Sequence, residues 1–479
     1  MRSSLKALVA ISAMLLSVPT FAIADEVGDG GDMQELLTRM SDMEQQLRAT
    51  NDALASANAR VDQQANQLGK IETAPTGALP ALSNFLSQTD FSGWVSGSYF
   101  YNTNNPSSGA GGGVNGGVNS ITAPFHPDSN SFQVEQVWFG MQNAATAESR
   151  AGFEVDLVWG ETADVLRGAD PANSNLSYLY SANVSYLAPI TDAGIMITAG
   201  RFATSIGAES AKAPDNYNIT RGLVYNIQPI NHTGVKISAT YDNGFDWMLG
   251  VANTAGYGTQ NNVGAGINAG RIDATLAQQH DSDDAKTFLW RLGYKMSDTL
   301  AVGLNGLYGG DCLINTGPSC GVVGNDKDDV GIVDLVVNWD PSDKLSMYLN
   351  FDFLWANRDG RTGSPQGHPE AFGLGVAGRY AVTDNTGVSL RGEWVGFEDD
   401  YFGISCNGIT PCAGFGDDQN FGQITTTLDH ALTDHLTVKA EIAYVIGSGP
   451  GPDAFFADDN GNDLTDNEVL LGVEMLYQF

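Results

Sequence analysis

The sequence has few charged residues and no long apolar run after its N-terminal segment. Only 16% of the residues are charged, whereas glycine occurs 57 times. A helix needs roughly 18 consecutive apolar residues to cross a bilayer, so transmembrane helices are excluded beyond the N-terminus. The composition is poor for a helical protein and typical of long strands joined by Gly/Asn-rich loops. It is compatible with a membrane β-barrel, in which only alternate strand residues face lipid.

Basic residues are also scarce. Lys and Arg total 23 against 56 Asp and Glu, which gives a formal net charge of −33. Such a polyanion is a poor partner for nucleic acid or anionic lipid, so nucleic-acid binding is not expected. Two explanations of the acidity stay open: solubility in a salty habitat, or a bias toward cations at the mouth of a pore. The second predicts a mild cation preference.

The first 24 residues have the organisation of a secretion signal. Arg2 and Lys6 are basic, Ala7–Leu16 is apolar, and residues 22–24 (Ala-Ile-Ala) supply a small-residue cleavage site. The apolar stretch is too short to span a bilayer. We therefore predict export, with residues 1–24 as the signal peptide.

Cysteine occurs only four times, in two close pairs within Gly/Asn-rich loops: Cys312 with Cys320, and Cys406 with Cys412. Because export leads to an oxidising compartment, we predict local disulfides, the favoured one of three connectivities. Neither pair has the two-residue spacing or the neighbouring histidine of a zinc site, so no metal site is predicted there.

A heptad pattern predicts a periplasmic coiled-coil stalk over residues 25–72. Its seam positions recur every seven residues within Met33–Ile71, with no Gly or Pro before Gly69. A single helix with this seam would expose it, so self-association is predicted, and three strands are favoured. A monomeric helix that folds against the rest of the protein remains an alternative.

A linker is predicted at 73–89, where Pro75, Gly77 and Pro80 break the helix, and a β-barrel domain at 90–479. The last strand carries an alternating apolar set that ends in a terminal aromatic residue: Val469, Leu471, Val473, Met475, Tyr477 and Phe479. Alternation places this set on one face of the strand. A membrane barrel turns such a face to lipid, with aromatic residues at the interface. The alternative is an edge strand of a soluble sandwich.

Short and long connections alternate along this domain. Seven short polar turns are predicted near 143–148, 189–193, 242–244, 297–299, 341–344, 383–385 and 433–435. Eight long loops are predicted near 102–130, 161–175, 203–230, 256–284, 310–328, 357–369, 398–419 and 447–466. Together they predict an all-β transmembrane barrel of about sixteen antiparallel strands, with short turns and the stalk in the periplasm. A soluble sandwich has no reason to sort its connections in this way.

Charged residues on the predicted strands fall on the face opposite the apolar one. A charge that faces hydrocarbon costs about 2–4 kcal/mol at the membrane midplane, so this phase identifies the lumen. About sixteen strands leave room for an aqueous channel. The predicted pore-lining residues are Glu154, Asp156, Lys236, Arg291, Lys295, Asp334, Asp352, Arg379, Arg391, Glu393, Lys439 and Glu441. The alternative for any one of them is that it braces the wall and touches no solute.

The third long loop, 203–230, is too apolar for a loop in water. Its apolar residues are Ile206, Leu223, Val224, Tyr225, Ile227 and Ile230. We predict that it folds into the lumen as a constriction loop, whose charged residues are Arg201, Glu209, Lys212, Asp215 and Arg221. The alternatives are packing on neighbouring loops or an extracellular hairpin.

The same region resembles a known family. The segments ITAGRFATSIGAES (Ile197–Ser210), PDNYN (Pro214–Asn218) and NHTGVKISATYDNG (Asn231–Gly244) are similar to the OmpL-like β-barrel porins of bacteria. Members share a Gly-rich strand end, an Ile-Gly-x-Glu turn and a His-Thr-Gly entry into the next strand. The resemblance implies an outer-membrane porin and does not supply its solute.

Other chemistry has little support in the sequence. No catalytic or phosphate-binding motif stands in a suitable context, so no enzyme activity, cofactor or metal is predicted. The last loop concentrates carboxylate and amide oxygens at Asp458, Asp459, Asn460, Asn462, Asp463 and Asp466. Ca²⁺ binding there remains an alternative, but the spacing of a calcium-binding loop is absent and solvated side chains are favoured.

These patterns favour a passive porin of the bacterial outer membrane, through which small hydrophilic solutes or ions diffuse. Outer-membrane lipid surrounds the predicted barrel, and a homotrimer is the favoured assembly. A second hypothesis is a structural anchor whose coiled coil tethers the membrane to the cell wall, with peptidoglycan as the partner. A third is a receptor or adhesin that acts through the long loops.

Overall fold

The structure is a computed structural model. It describes residues 48, 78–104, 120, 122–123, 125–126, 128–163, 178–253, 286–311, 328–357, 368, 370–398, 419–448, 456–457 and 464–479. The predicted signal peptide, the stalk apart from residue 48, all four cysteines and most of the acidic last loop lie outside these residues. Phe85–Phe479 forms one compact unit.

A short helix, α1 (Ala78–Ser87), lies within the segment predicted as a linker. Pro80 falls in its first turn, where the missing N–H has no intrahelical partner to lose. At the other end, the Thr89 hydroxyl donates a hydrogen bond of 2.6 Å to the carbonyl of Phe85. Among the residues that the structure describes, no helix is long and apolar enough to span a membrane.

Sixteen antiparallel strands form a closed barrel, which confirms the predicted fold class. Each strand pairs with its neighbours in the chain, and the last pairs with the first. The barrel strands are β1 (Asp90–Asn102), β2 (Ser131–Asn143), β3 (Ala151–Trp159), β4 (Leu179–Ala188), β5 (Ile195–Ala203), β6 (Asn231–Thr240), β7 (Phe245–Ala252), β8 (Thr287–Ser297), β9 (Leu300–Asp311), β10 (Asp328–Ser342), β11 (Leu345–Asn357), β12 (Glu370–Thr383), β13 (Thr386–Glu398), β14 (Gln419–Ala431), β15 (Leu436–Ser448) and β18 (Asn467–Gln478). The two-residue strands β16 (Phe456–Ala457) and β17 (Leu464–Thr465) form a separate ladder.

The C-terminal residue completes the closure of the barrel. Phe479 and Gly93 exchange backbone hydrogen bonds of 3.0 and 3.2 Å, next to the β1–β18 pairing that begins at Trp94 and Gln478. A Cβ atom at Gly93 would overlap the ring of Phe479. The pairing of β1 with β18 therefore depends on Gly93 in β1 and on the aromatic C-terminal residue Phe479.

The outer face of the barrel is apolar, as the alternation predicts. On β18, Val473 is 47% exposed and Tyr477 is also 47% exposed, whereas Glu474 between them is 3% exposed. Large exposed aromatic residues lie near the short-turn ends of several strands: Tyr294, Trp339, Tyr380 and Tyr477. An apolar band with an aromatic rim is the surface that a transmembrane barrel presents to lipid.

The wall of the barrel is shorter on one side. Strands β3 to β7 have 8 to 10 residues, whereas the other barrel strands have 11 to 15. Tilted strands of these lengths reach across roughly 20–25 Å and 30–35 Å of membrane, respectively. We call β3–β7 the short wall. The ring of Phe85 stacks on the ring of Phe153, on the outer face of β3, with centroids 5.9 Å apart.

Replacement of Val473 by Lys should destabilise the folded barrel by about 2–4 kcal/mol, because it places an ammonium group in hydrocarbon. Equilibrium unfolding in urea, from lipid vesicles, measures this difference. Val473→Met is the control, because methionine, like lysine, has a long unbranched side chain but carries no charge. Equal stability of the Lys and Met variants would contradict the orientation of β18.

Candidate functional site: the loop-filled lumen

The third loop, 204–230, lies inside the barrel. It contains two short 3-10 helices, Ala213–Asp215 and Tyr225–Ile227, and most of its side chains are buried. Because the loop has no strand partner there, its backbone groups must find hydrogen bonds on the barrel wall.

Carboxylates on the far wall receive the backbone N–H groups of this loop. Glu441 accepts from the N–H groups of Ile219 and Thr220, at 2.6 and 3.0 Å. Glu393 accepts from the N–H of Leu223 at 3.0 Å. A Cβ atom at Gly222 would overlap the Glu393 carboxylate, so glycine is required where the loop meets this side chain.

A fully buried guanidinium neutralises this cluster of carboxylates. Arg391 is 0% exposed and makes ion pairs of 2.6 Å with Glu209 on the loop and 3.0 Å with Glu393 on its own strand. It also donates to the carbonyl of Thr220 at 2.7 Å. Nearby, Lys439 donates to the carbonyl of Asn216 at 2.9 Å. Loop and wall therefore share one buried charge network.

The opposite wall holds the loop as well. The Gln136 side chain accepts from the N–H of Ala213 at 3.1 Å and donates to the carbonyl of Ala211 at 2.7 Å. Lys212 makes an ion pair of 2.9 Å with Asp156. Since Gln136 and Asp156 lie on β2 and β3, the loop is attached to both sides of the barrel.

A third attachment lies on β10 and β11. Asn350 accepts from the N–H of Ala208 at 3.0 Å, and the Gln228 amide donates to Asp352 at 2.6 Å. Asp334 accepts from the amide of Asn350 at 2.6 Å. Asp334 and Asp352 face inward, but both are 0% exposed and hold the loop rather than lining open space.

Every barrel strand carries a buried inward residue in the half nearer the long loops. None of the sixteen is more than 5% exposed, and all but two are aliphatic or aromatic: Phe100, Glu135, Val158, Tyr180, Phe202, His232, Ala252, Leu289, Leu307, Ile332, Leu354, Ala371, Val395, Phe421, Val445 and Leu470. Ile206, Leu223, Val224 and Ile227 of the third loop, and Phe456 of β16, pack into this layer. We call it the apolar seal, because water does not reach it in this conformation.

Below the seal, on the short-wall side, inward residues keep partial exposure. Arg291 pairs with Asp246 at 2.8 Å and donates to Asn305 at 2.9 Å. We define the polar chamber by the half-exposed inward side chains of β3 to β8: Glu154, Asn183, Ser185, Lys236, Ser238, Asp246 and Arg291. It carries both signs of charge.

Arg379 and Lys295, which the sequence also predicts to line the pore, lie outside the apolar seal and the polar chamber. Arg379 pairs with Asp429 at 2.5 Å, and Lys295 pairs with Asp298 at 2.9 Å beside the turn after β8. The hydrogen bond from Lys295 holds the pKa of Asp298 below its usual value.

The other charged residues of the constriction-loop prediction differ in their surroundings. Asp215 is exposed at the tip of the third loop, whereas Arg201 is buried. Arg221 donates to the carbonyls of Ser210 and Ile219, so it braces the loop internally.

Sequence analysis missed several uncharged residues that attach the loop. Gln136, Asn350 and Gln228 make the hydrogen bonds described above, and Asn218 donates to Thr427 at 2.7 Å. The signal for the wall residues was available, because Gln136, Asn350 and Thr427 share the inward phase of their charged neighbours. Amides and hydroxyls carry no charge, so the charge pattern alone does not single them out.

The closed sixteen-stranded barrel, with a charged lumen and an inserted loop, defines a porin-type protein of the outer membrane. The chain belongs to the family described as "Putative beta-barrel porin-2, OmpL-like", whose family model matches residues 88–479. This match confirms the resemblance found in the segments around the third loop.

Solved structures show the same type of fold. The chain is similar to an anion-selective porin from Comamonas acidovorans, at 12% identity and a TM-score of 0.50, over 82% of this chain and 99% of that one. It is similar to OmpT of Vibrio cholerae in its trimer form (14%, TM-score 0.49, 82% and 99%). It is also similar to the outer membrane channel DcaP of Acinetobacter baumannii (9%, TM-score 0.49, 82% and 97%). No curated protein sequence matches the chain.

Replacement of Arg391 by Met should loosen the third loop. It leaves Glu209 and Glu393 buried without their cation, a change that costs about 3–5 kcal/mol in comparable buried pairs. Hydrogen–deuterium exchange should rise in residues 219–224 and stay unchanged in the strands of the short wall. Lys344→Met, at an exposed turn position, is the control. Unaltered exchange in residues 219–224 of the Arg391 variant would contradict the role of this guanidinium.

Proposed function

We propose that the protein is a passive porin for small hydrophilic solutes and ions, without enzymatic activity. The observation that carries the proposal is the polar chamber. Several inward side chains of β3–β8 keep partial exposure beside the third loop, and they carry both signs of charge. The solute path then runs between the short wall and the third loop, with Lys236, Glu154 and Arg291 among its lining residues.

The third loop sets the width of this path in the proposal. It is anchored on β2–β3, β10–β11 and β13–β15, so it restricts the lumen from several sides. The apolar seal lies above the chamber, and a solute that crosses it requires a shift of the loop or of the segments around it. Passage is thus downhill diffusion controlled by a loop, with no energy-coupling motif in the sequence.

The apolar seal also favours a second candidate function. A barrel whose inner wall is apolar and buried toward the long loops suits a structural anchor. In such an anchor, the coiled-coil stalk tethers the outer membrane to peptidoglycan. Single-channel recording separates the two functions, since an anchor conducts no ions. Co-sedimentation of the full chain with peptidoglycan tests the tether directly, and a positive result is compatible with a porin as well.

A homotrimer with a periplasmic stalk is part of the proposal. The short wall, at roughly 20–25 Å, lies at or below the roughly 25 Å apolar band of outer-membrane barrels, so lipid against its shortest strands would have to thin. Contact with another copy removes that mismatch. The predicted coiled coil supports self-association independently, because its apolar seam needs further helices to cover it.

Deletion of the loop tip, Pro214–Asn218, should increase the single-channel conductance in planar bilayers. The deletion removes the contacts of Asn216 with Lys439 and of Asn218 with Thr427, and it takes volume out of the lumen. Asp215→Asn is the control, because it removes the tip charge without removing volume. Unchanged conductance after the deletion would reject the loop as the constriction. Absence of conductance in the unmodified protein would reject the porin itself.

Replacement of Val184 by Trp should convert the trimer to monomers. Val184 lies on the outer face of β4 in the short wall and is 62% exposed, so an indole there would collide with a neighbouring copy. The matched control is Ile424→Trp on β14, where the residue is 59% exposed toward the proposed lipid surface. Native mass spectrometry measures the assembly. Equal assembly of both variants would contradict the short wall as the interface.

A further inference from the structure

Lys236 differs from the other basic residues on the inner wall. Arg291, Arg379 and Arg391 each form an ion pair with a carboxylate, and Lys439 donates a hydrogen bond to the carbonyl of Asn216. In the part of the chain that the structure describes, no carboxylate lies within ion-pair distance of the Lys236 ammonium group. The protein has a net charge of −33, yet this ammonium group is partly desolvated without a carboxylate partner. Such a group can bind an anionic ligand.

The ammonium is held in place by an aromatic ring. The Nζ atom of Lys236 lies 4.4 Å from the centroid of Phe202, a residue of the apolar seal that is only 3% exposed. A cation–π contact fixes the position of the charge but uses no hydrogen-bond acceptor. The three N–H donors of the ammonium group therefore remain available for an anion.

Small residues surround this position. The cross-strand partners of Lys236 are Thr198 on β5 and Gly250 on β7. The next inward positions toward the long loops are Gly200 and Gly234, which pair with each other. A Cβ atom at Gly250 would come within 3.1 Å of the Lys236 Cβ atom. Because these three positions are glycines, no side chain projects from them over the ammonium group.

Glu154 supplies an opposite charge in the same chamber. It accepts hydrogen bonds from Ser181 at 3.2 Å and from Asn183 at 3.0 Å, and its carboxylate lies beyond ion-pair distance of the Lys236 ammonium group. The chamber therefore presents a held ammonium and a held carboxylate that do not neutralise each other by contact. This arrangement disfavours a dianion and suits a small solute with a single carboxylate.

We propose that Lys236, seated on Phe202 at the end of the polar chamber, binds the carboxylate group of a small monocarboxylate solute. The inference rests on the proposed porin function and names the class of solute that the path would select. Lys236 is then the specificity-determining residue, and the aromatic ring of Phe202 positions its ammonium group.

Reversal potentials of the reconstituted full chain under a potassium acetate gradient test the selectivity. Lys236→Gln should lower the permeability of acetate relative to potassium about threefold or more, because it removes the attracting charge from the path. Lys236→Arg should retain the acetate permeability, and Lys344→Gln, at an exposed turn, should leave it unchanged. An unaltered permeability ratio in Lys236→Gln would overturn the proposal.

Saturation-transfer NMR on the detergent-solubilised full chain provides a readout that does not need conduction. Acetate and glycine should show transfer from the unmodified protein and from Lys236→Arg, and lose it in Lys236→Gln. Equal transfer in Lys236→Gln would overturn the binding site even if the protein conducts. Lys236-dependent transfer in a protein without conductance would support the site and reject the porin instead.

Discussion

Hydrogen bonding of a loop backbone inside the barrel is the constraint on which the lumen depends. Five N–H groups of the third loop, within residues 219–224, donate to carboxylates of Glu209, Glu393 and Glu441. Buried carboxylates are costly unless they are compensated, and Arg391 supplies the compensation from the centre of the cluster. Loop, acids and guanidinium are therefore interdependent, because none of them could be buried without the others.

The same constraint divides the lumen into two environments. Toward the long loops, the apolar seal lets the third loop bury Leu223, Val224 and Ile227 beside the barrel wall. Toward the short turns, the loop is attached through polar groups, and the side chains of the polar chamber on the short-wall side stay partly exposed. A water-filled channel has no need of an apolar inner wall. The seal therefore belongs to a loop that is packed like a protein core, which explains why the third loop is so apolar.

Much of the barrel could be predicted because every second strand residue faces lipid and must therefore be apolar. The alternation fixed the strands, their inward phase and the connections between them, and it placed Glu154, Lys236 and Arg291 on the inner wall. Burial within the lumen could not be predicted in this way. Asp352 and Glu154 have the same phase, and only the path of the third loop decides that one is covered and the other is partly exposed. That path depends on contacts between residues more than a hundred positions apart, such as Gln228 with Asp352.

The distribution of positive charge connects these features. In a strongly acidic chain, basic residues on the inner wall serve first to compensate acids: Arg391 beneath the loop, Arg291 beside Asp246, and Arg379 beside Asp429. Lys236 is set apart from this scheme, at the boundary between the seal and the chamber. Its charge is stabilised by the face of Phe202, which cannot neutralise it. In the proposed solute path, a positive charge without a carboxylate partner would act on each passing ion and would counteract the cation preference expected from the acidic excess.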